Sequence, residues 1–246
     1  MGTTICDILL QAAQMPSPQE LAEAFAEAWP ALAPLPEVLL EDGAWRLDFG
    51  PLEACLELFD QPLSRLHGRA EGGPMWPTAA QDLPGHSAHL QLKMRGSSSE
   101  LQRAQLLTQL CVALVACTAA MGIYWSDADL LIESGVFVEV AQACEGDLPL
   151  ALWVDFHLIE RPEGSAGYTR GLQAFGHPEL EVAHSPEPPE ELYDRLYGVV
   201  SYLLVAGAVV LEGDTLGETE DEYVRARFAA SCFGGNSQVL QLAYEE

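Results

Sequence analysis

The densest group of ionisable side chains lies near the C-terminal end of the chain, where six acidic residues fall within eleven positions. These residues are Glu212, Asp214, Glu218, Glu220, Asp221 and Glu222. A second, smaller acidic cluster consists of Glu187, Glu190 and Glu191. Because runs of like charge usually face water, one interpretation is a solvated loop. The alternative is an anionic patch that binds Lys and Arg side chains of a partner, or obstructs a basic nucleic-acid groove.

The histidines and the known catalytic motifs give little support to an enzyme. His86 and His89 are three positions apart on a predicted strand, so their side chains point to opposite faces and cannot share a metal ion. The sequence contains no G-x-S-x-G elbow, P-loop, G-x-G-x-x-G or H-E-x-x-H motif. We therefore predict no catalytic residue, no metal and no cofactor. The alternative is an enzyme of an undescribed class whose pocket is lined by Tyr168, Arg170 and His177.

The overall charge restricts the kinds of partner. Acidic residues outnumber basic ones 37 to 11, and the net charge is −26. A surface of this sign repels phosphate backbones and anionic lipids, so we expect neither nucleic acid nor membrane as a direct partner. A basic protein is the natural counterpart, because complementary fields accelerate association. Charge that serves only to keep an apolar-rich protein in solution is the competing explanation.

The cysteines and the N-terminus predict a cytoplasmic protein. Six cysteines are present, with no C-x-x-C pair, and most lie in apolar runs that are typical of reduced core thiols. The first residues, Met1 to Asp7, lack the positive region and the long apolar region of a signal peptide. These features give no information on the number of subunits, so the oligomeric state is left open.

Alternating and helical patterns predict the elements that must position these side chains. Period-two alternation from Val38 to Leu58, interrupted at Asp42-Gly43 and Gly50-Pro51, indicates a β-meander. Further strands are predicted at 86–94, 150–160, 169–175, 179–183, 223–230 and 238–244, and helices at 17–29, 100–122, 134–144 and 188–206.

The pattern as a whole predicts an α+β fold, with a mostly antiparallel sheet packed against two long apolar helices and with shorter helices besides. The prolines at positions 30, 34 and 36 mark the only plausible boundary. We accordingly divide the chain into an N-terminal strand and helix segment, residues 1–35, and a main α+β domain, residues 36–246.

One ordered signature carries a family resemblance. The run from Tyr168 through Thr169-Arg170-Gly171-Leu172 to Glu181, followed by the motif Gly213 to Gly217, resembles a bacterial family known only as a domain of unknown function. The likeness spans roughly residues 50–243 and leaves the first 35 residues unexplained. It implies an α+β fold and no established activity or catalytic residues. Some proteins of this kind resemble immunity partners of type VI secretion toxins.

Charge and resemblance together predict a cytoplasmic immunity protein. In this hypothesis the chain binds a basic, nuclease-like toxin through its acidic residues and neutralises it without turnover. The alternatives are the enzyme of undescribed class and an adaptor or chaperone for a secretion component. An adaptor shares the binding physics and differs only in whether its client is toxic.

Overall fold

The computed structural model describes residues 2–66, 73–144, 147–216, 224–234 and 238–244. The chain forms two compact units, Met1–Leu152 and Trp153–Glu246, which we call unit 1 and unit 2. Each unit combines helices with a sheet whose strands are mainly antiparallel, so the predicted α+β class is confirmed.

Unit 1 contains a seven-stranded sheet with the strand order β2-β3-β4-β5-β1-β6-β7. Its elements are β1 (Thr3–Leu10), α1 (Pro18–Ala28), β2 (Leu39–Glu41), β3 (Ala44–Asp48), β4 (Leu52–Phe59), α2 (Ala79–Asp82), β5 (Ala88–Gly96), α3 (Glu100–Ala116), β6 (Ala120–Trp125), β7 (Leu130–Glu133) and α4 (Ser134–Ala143). The described strand pairs in this sheet are antiparallel.

Local sequence explains the hairpins at one edge of this sheet. Asp42 and Gly43 join β2 to β3, and both have positive φ angles, 51° and 83°. A two-residue turn of this kind matches the twist of paired strands and favours Asp-Gly. In the next turn, Asp48 Oδ1 accepts the N–H of Gly50 at 2.7 Å. The predicted meander is therefore confirmed, with turns at the predicted positions.

Strand β1 lies inside the sheet and is hydrogen-bonded to β5 on one side and β6 on the other. Asp7 is opposite Gln91 in β5 and opposite Tyr124 in β6. The sequence-based division at residue 35 assigned this strand to a separate N-terminal segment. The two compact units of the structure divide the chain after Leu152.

Helix α3 covers the apolar face of β1 and β5. Ser99 begins the helix with a capping box, and nine of its 17 residues are buried. Cys111 of α3 and Cys6 of β1 meet in this interface with their Sγ atoms 3.5 Å apart. The prediction that this helix continues to residue 122 was wrong, because the chain leaves the helix at Ala116 and pairs with β1 as strand β6. None of the helices among the described residues could span a membrane.

The opposite face of the sheet is covered by an irregular stretch, residues 60–66 and 73–85. Its side chains Leu63, Leu66, Trp76, Ala79 and Leu83 form a buried cluster with Leu9, Tyr124 and Leu131 of the sheet. Gly122 permits this packing, since a Cβ there would overlap the Trp76 ring. The described residues of this connection therefore form part of the core of unit 1.

Unit 2 contains a five-stranded sheet with the order β11-β12-β10-β9-β8. Its elements are β8 (Asp155–Arg161), β9 (Gly164–Arg170), β10 (Leu180–Ser185), α5 (Pro189–Leu204), β11 (Val224–Ala230) and β12 (Gln238–Tyr244). The pair β10 and β12 is parallel, and the other described pairs are antiparallel. Helix α5 packs against β8 and β9.

Two predicted strands of this half were misplaced. Residues 150–152 form a 3-10 turn, and β8 begins only at Asp155. The strand predicted at 169–175 lies earlier, at 164–170, and ends where Gly171 adopts a φ of 116°. Residues 172–175 then form a second 3-10 turn. An apolar pattern does not distinguish a buried turn from a buried strand, which explains both errors.

A single carboxylate lies fully buried in the centre of the unit 1 sheet. Asp7 accepts a 2.9 Å hydrogen bond from Gln91 Nε2 on Oδ1, while Oδ2 has no hydrogen-bond partner among the described residues. Arg65 Nη2 lies 3.8 Å from Oδ2. Burial raises the pKa of Asp7, and the Gln91 hydrogen bond and the charges of Arg65, His89 and Lys93 offset only part of that rise.

We predict that Asp7→Asn increases the free energy of unfolding at neutral pH. Because the folded-state pKa of Asp7 is above its unfolded value, the folded protein binds this proton more tightly. Stability from this site is fully present below the unfolded pKa and is lost as pH rises through the folded pKa. Asn cannot ionise, so the substitution removes this loss of stability. Denaturant unfolding of both proteins, measured from pH 4 to pH 8, tests the prediction.

Asp60→Asn, at an exposed position of the same unit, is the matched control and should leave the pH profile unchanged. A decrease in stability for Asp7→Asn at neutral pH would contradict the prediction. It would mean that the attraction of Arg65 exceeds the cost of burying the charge.

Candidate functional site

The signature stretch in unit 2 is organised by one carboxylate. The Glu179 carboxylate accepts hydrogen bonds from the backbone N–H groups of residues 171, 172 and 173, at 2.9, 3.2 and 3.2 Å. It also accepts the hydroxyl of Thr169 at 2.9 Å, and Thr169 Oγ1 in turn accepts the N–H of Leu180 at 2.8 Å. Glu179 thus supplies acceptors to a turn whose N–H groups have no ladder partner.

Two glycines complete this turn. Gly171 and Gly176 have φ angles of 116° and 81°, in the left-handed region that other residues rarely adopt. They allow the chain to enter and leave the 3-10 turn at residues 172–175 within a few residues. The signature residues therefore shape the backbone, and Glu179 is engaged in that task.

A second acidic residue of the signature is buried and holds the end of β11. Glu181, which is 3% exposed, accepts hydrogen bonds from Ser231 Oγ and from the N–H of Cys232 at 2.9 Å. The Cys232 Sγ atom lies 3.2 Å from the same carboxylate. Burial raises the pKa of Cys232, and the Glu181 hydrogen bond raises it further, so the thiol is protonated at neutral pH rather than activated.

The three residues of the predicted enzyme pocket lie along one strand and the turn after it. Tyr168 stacks on His157 with ring centroids 4.7 Å apart and packs against Phe233 at 5.1 Å. Arg170 is on the same face of β9, opposite Asp155 in the strand register. His177 follows the turn, and burial lowers its pKa. Tyr168 therefore packs between His157 and Phe233.

Among the predicted partner-binding residues, Glu187 points inward. Its side chain is 16% exposed and pairs with Arg195, whose Nε lies 3.1 Å from both carboxylate oxygens. The hydroxyl of Tyr244 also donates a hydrogen bond to the Glu187 carboxylate. Burial by itself would raise the pKa of Glu187, but the bonds from Arg195 and Tyr244 outweigh it and lower the pKa. Glu187 thus connects the start of α5 to β12.

The remaining predicted acidic residues differ in their placement. Glu190 and Glu191 are exposed in the first turn of α5. Glu212 and Asp214 are exposed too, and each accepts one backbone N–H, from Phe228 at 2.6 Å and from Leu211 at 2.8 Å respectively. The other four residues of the predicted patch lie outside the described residues: Glu218, Glu220, Asp221 and Glu222.

The motif that begins at Gly213 runs along the edge strand of the unit 2 sheet. Gly213 N–H donates to Ala226 O, and Ala226 N–H donates to Asp214 O, both at 2.8 Å. Leu216 N–H donates to Val224 O at 2.7 Å. Residues 213–216 therefore form hydrogen bonds with backbone groups of β11. On an uncovered edge strand, such groups would be available to another chain.

Sequence reasoning missed an exposed apolar strip beside this motif. Its residues, with their exposed fractions, are Tyr202 (51%), Val205 (59%), Val209 (78%), Leu211 (60%) and Phe228 (38%). After α5 the chain turns back, and Ala208 N–H donates a 3.3 Å hydrogen bond to Tyr202 O. The hydrogen bond from Phe228 N–H to Glu212 connects the segment after α5 to β11. In the sequence, this apolar run is indistinguishable from a buried helix end.

The surroundings of the apolar strip are acidic. Glu212 and Asp214 follow it directly, and Glu190 and Glu191 lie at the other end of α5. The sequence contains no Lys or Arg between Arg195 and Arg225. An apolar strip with Glu212 and Asp214 beside it can bind a partner that combines apolar and cationic side chains. Within the described residues, no group of three His, Cys, Asp or Glu side chains could hold a metal ion.

Comparison with known proteins finds a family match in the C-terminal part of the chain. Residues 168–243 match a family described as Domain of unknown function (DUF4261). The match covers the C-terminal part of the wider range, from about residue 50, over which the resemblance was expected. No curated protein and no solved structure matches the chain. The matched residues include the Glu179 turn, the exposed apolar strip and the strand edge that the Gly213 motif covers.

We predict that Glu179→Gln destabilises unit 2 by about 2 to 4 kcal/mol. The amide retains the shape of the side chain but loses the charge and places N–H donors against the backbone N–H groups of residues 171–173. Hydrogen exchange of those three amides, together with denaturant unfolding, measures the effect. Glu190→Gln, at an exposed position, is the control. Unchanged exchange at residues 171–173 in Glu179→Gln would contradict this role.

Proposed function

We propose that this protein is a cytoplasmic immunity protein that binds and neutralises a basic protein toxin. The observation that carries the proposal is the exposed apolar strip with the carboxylates of Glu212 and Asp214 beside it, in a chain whose net charge is −26. Binding alone accounts for inhibition in this proposal, so the protein does not act as an enzyme.

The composition of the surface supports a protein partner. Large exposed apolar patches are typical of interaction sites, especially where polar groups surround them. Apolar and aromatic anchors contribute most of the affinity of an interface, while charges at its rim steer the encounter. The strip supplies Tyr202 and Phe228 as aromatic anchors, and the carboxylates around it supply the steering charge.

Charge and resemblance support the class of partner. An enzyme that cleaves nucleic acid needs a cationic surface to bind phosphates, and an acidic protein complements such a surface. The signature resembles a family of unknown function, and the likeness of some proteins of this kind to immunity partners of type VI secretion toxins points the same way. We therefore propose a nuclease-like effector of a type VI secretion system as the cognate toxin.

The proposed contact set follows from the placement of the acidic residues. Glu187 is left out of it, because its carboxylate is paired with Arg195. Glu190, Glu191, Glu212 and Asp214 are exposed and stay in the set. The residues outside the described part of the chain, Glu218, Glu220, Asp221 and Glu222, stay in it as predictions from the sequence.

The first experiment identifies the partner and tests neutralisation. The tagged protein is used to capture partners from its native cells at low salt, and each captured protein is expressed alone and together with this chain. We expect one basic protein that is toxic alone and harmless in co-expression. Capture of a partner with no toxicity would contradict immunity and favour an adaptor or chaperone.

We predict that Val209→Lys weakens binding of the captured toxin at least about tenfold, or about 1.4 kcal/mol. The substitution removes an apolar contact and places a positive charge against a basic partner. Leu40→Lys is the matched control, because Leu40 is 72% exposed and belongs to unit 1. Equal losses for the two variants, measured by titration calorimetry, would mean that the strip is not the contact surface.

We also predict that Glu190→Gln combined with Glu191→Gln slows association at low salt and leaves dissociation nearly unchanged. Rim charges act mainly on the encounter rate, and salt screens them. Stopped-flow measurements at several salt concentrations test this, and the difference from the native protein should vanish near about 0.5 M salt. An association rate equal to that of the native protein at low salt would exclude these two residues from steering.

A further inference from the structure

Unit 1 contains a cavity of about 430 Å³ beside the C-terminal ends of α1 and α4 and the outer side of α3. Its lining includes Trp29, Leu32, Gln105, Gln109, Gln142 and Asp147. Pockets that bind small molecules typically measure about 300 to 1,000 Å³, so the cavity is large enough for one small organic ligand. The acidic and apolar surface proposed above belongs to unit 2, and this cavity is separate from it in the chain.

The charged and dipolar groups around the cavity are negative. Helix α1 ends at Ala28 and α4 at Ala143, both next to the cavity, and neither helix has a basic residue in its last turn. The C-terminal end of a helix carries a partial negative charge. Asp147 adds a carboxylate, and the described residues of the lining include no Lys, Arg or His. Each of these features favours a positively charged ligand.

The wall of the cavity also suits an apolar stem. The Trp29 ring is held in place by a 3.1 Å hydrogen bond from its Nε1 to the backbone oxygen of Gln109. Leu32 lines the cavity and is 43% exposed, so its side chain is accessible to a ligand. An aromatic ring attracts a nearby cation, and the side-chain amides of Gln105 and Gln142 offer oxygen acceptors.

We propose that this cavity binds an organic cation, an ammonium or guanidinium group carried on a short apolar stem. The charged group lies near Asp147 and the ends of α1 and α4, and the stem packs on Trp29 and Leu32. A free amine and a lysine side chain of a peptide share this chemistry. The inference does not depend on the toxin-binding proposal, because it rests on residues of unit 1 alone.

The test uses the full-length, isotope-labelled protein and three probes of equal size: n-butylammonium, 1-butanol and butyrate. The indole N–H resonance of Trp29 is the readout, assigned by its absence in Trp29→Phe. We expect n-butylammonium to shift this resonance saturably, 1-butanol to bind more weakly, and butyrate to produce no shift. Equal shifts from all three probes, or none from n-butylammonium, would overturn the proposal.

Two variants locate the binding. Asp147→Asn should weaken n-butylammonium binding up to about fivefold at low salt, the upper range for an exposed charge pair, without changing the response to 1-butanol. Gln142→Lys should weaken it further by placing a cation in the lining. Glu139→Gln, an exposed position on α4, is the control and should behave as the native protein. If Asp147→Asn and Glu139→Gln have the same effect, the cavity is not the binding site.

The same titration distinguishes the two sources of the cation. Acetyl-Gly-Lys-Gly-amide presents the lysine side chain on a peptide. Binding at least as tight as that of n-butylammonium supports a peptide ligand, and much weaker binding supports a free amine. Failure of all cationic probes would overturn this inference and leave the toxin-binding proposal unaffected.

Discussion

The structure depends on carboxylates that accept backbone N–H groups. A chain with 37 acidic and 11 basic residues cannot pair most of its carboxylates with cations. Many of them instead serve as acceptors for turns and helix ends: Glu20 in the capping box of α1, Glu133 before α4, Glu179 in the signature turn, Glu181 after β11, and Glu212 beside the edge strand. A charged acceptor makes a stronger hydrogen bond than a neutral one. In this chain, acidic side chains therefore supply hydrogen bonds to loops that neutral acceptors would supply in a sequence with fewer carboxylates.

This arrangement separates the acidic residues into two groups. Glu179, Glu181 and Glu187 belong to the fold, since their carboxylates are occupied by the protein's own donors. Glu190 and Glu191 are exposed on α5 and are available to a partner. The net charge therefore overstates the negative surface that a partner meets, and the exposed apolar strip becomes the more specific element of the proposed interface.

Local signals in the sequence predicted local structure well. The Ser17 cap, the Asp42-Gly43 turn and the span of α5 follow from propensities that act within a few residues. The displaced strand at β9 and the early end of α3 depend on contacts that are distant in sequence, such as β6 pairing with β1. The buried Asp7 was invisible to pattern analysis for the same reason. For the candidate site, the sequence gives the positions of the acidic residues, but only the fold distinguishes those that face solvent from those that hold turns.

The central claim is that the exposed apolar strip and its carboxylates, rather than the signature turn, contact the partner. Hydrogen–deuterium exchange of this protein, alone and saturated with the captured toxin, tests it most directly. The account predicts slower exchange in peptides that cover residues 189–216 and no change at residues 168–181. Slower exchange confined to residues 168–181, or to unit 1, would contradict the account.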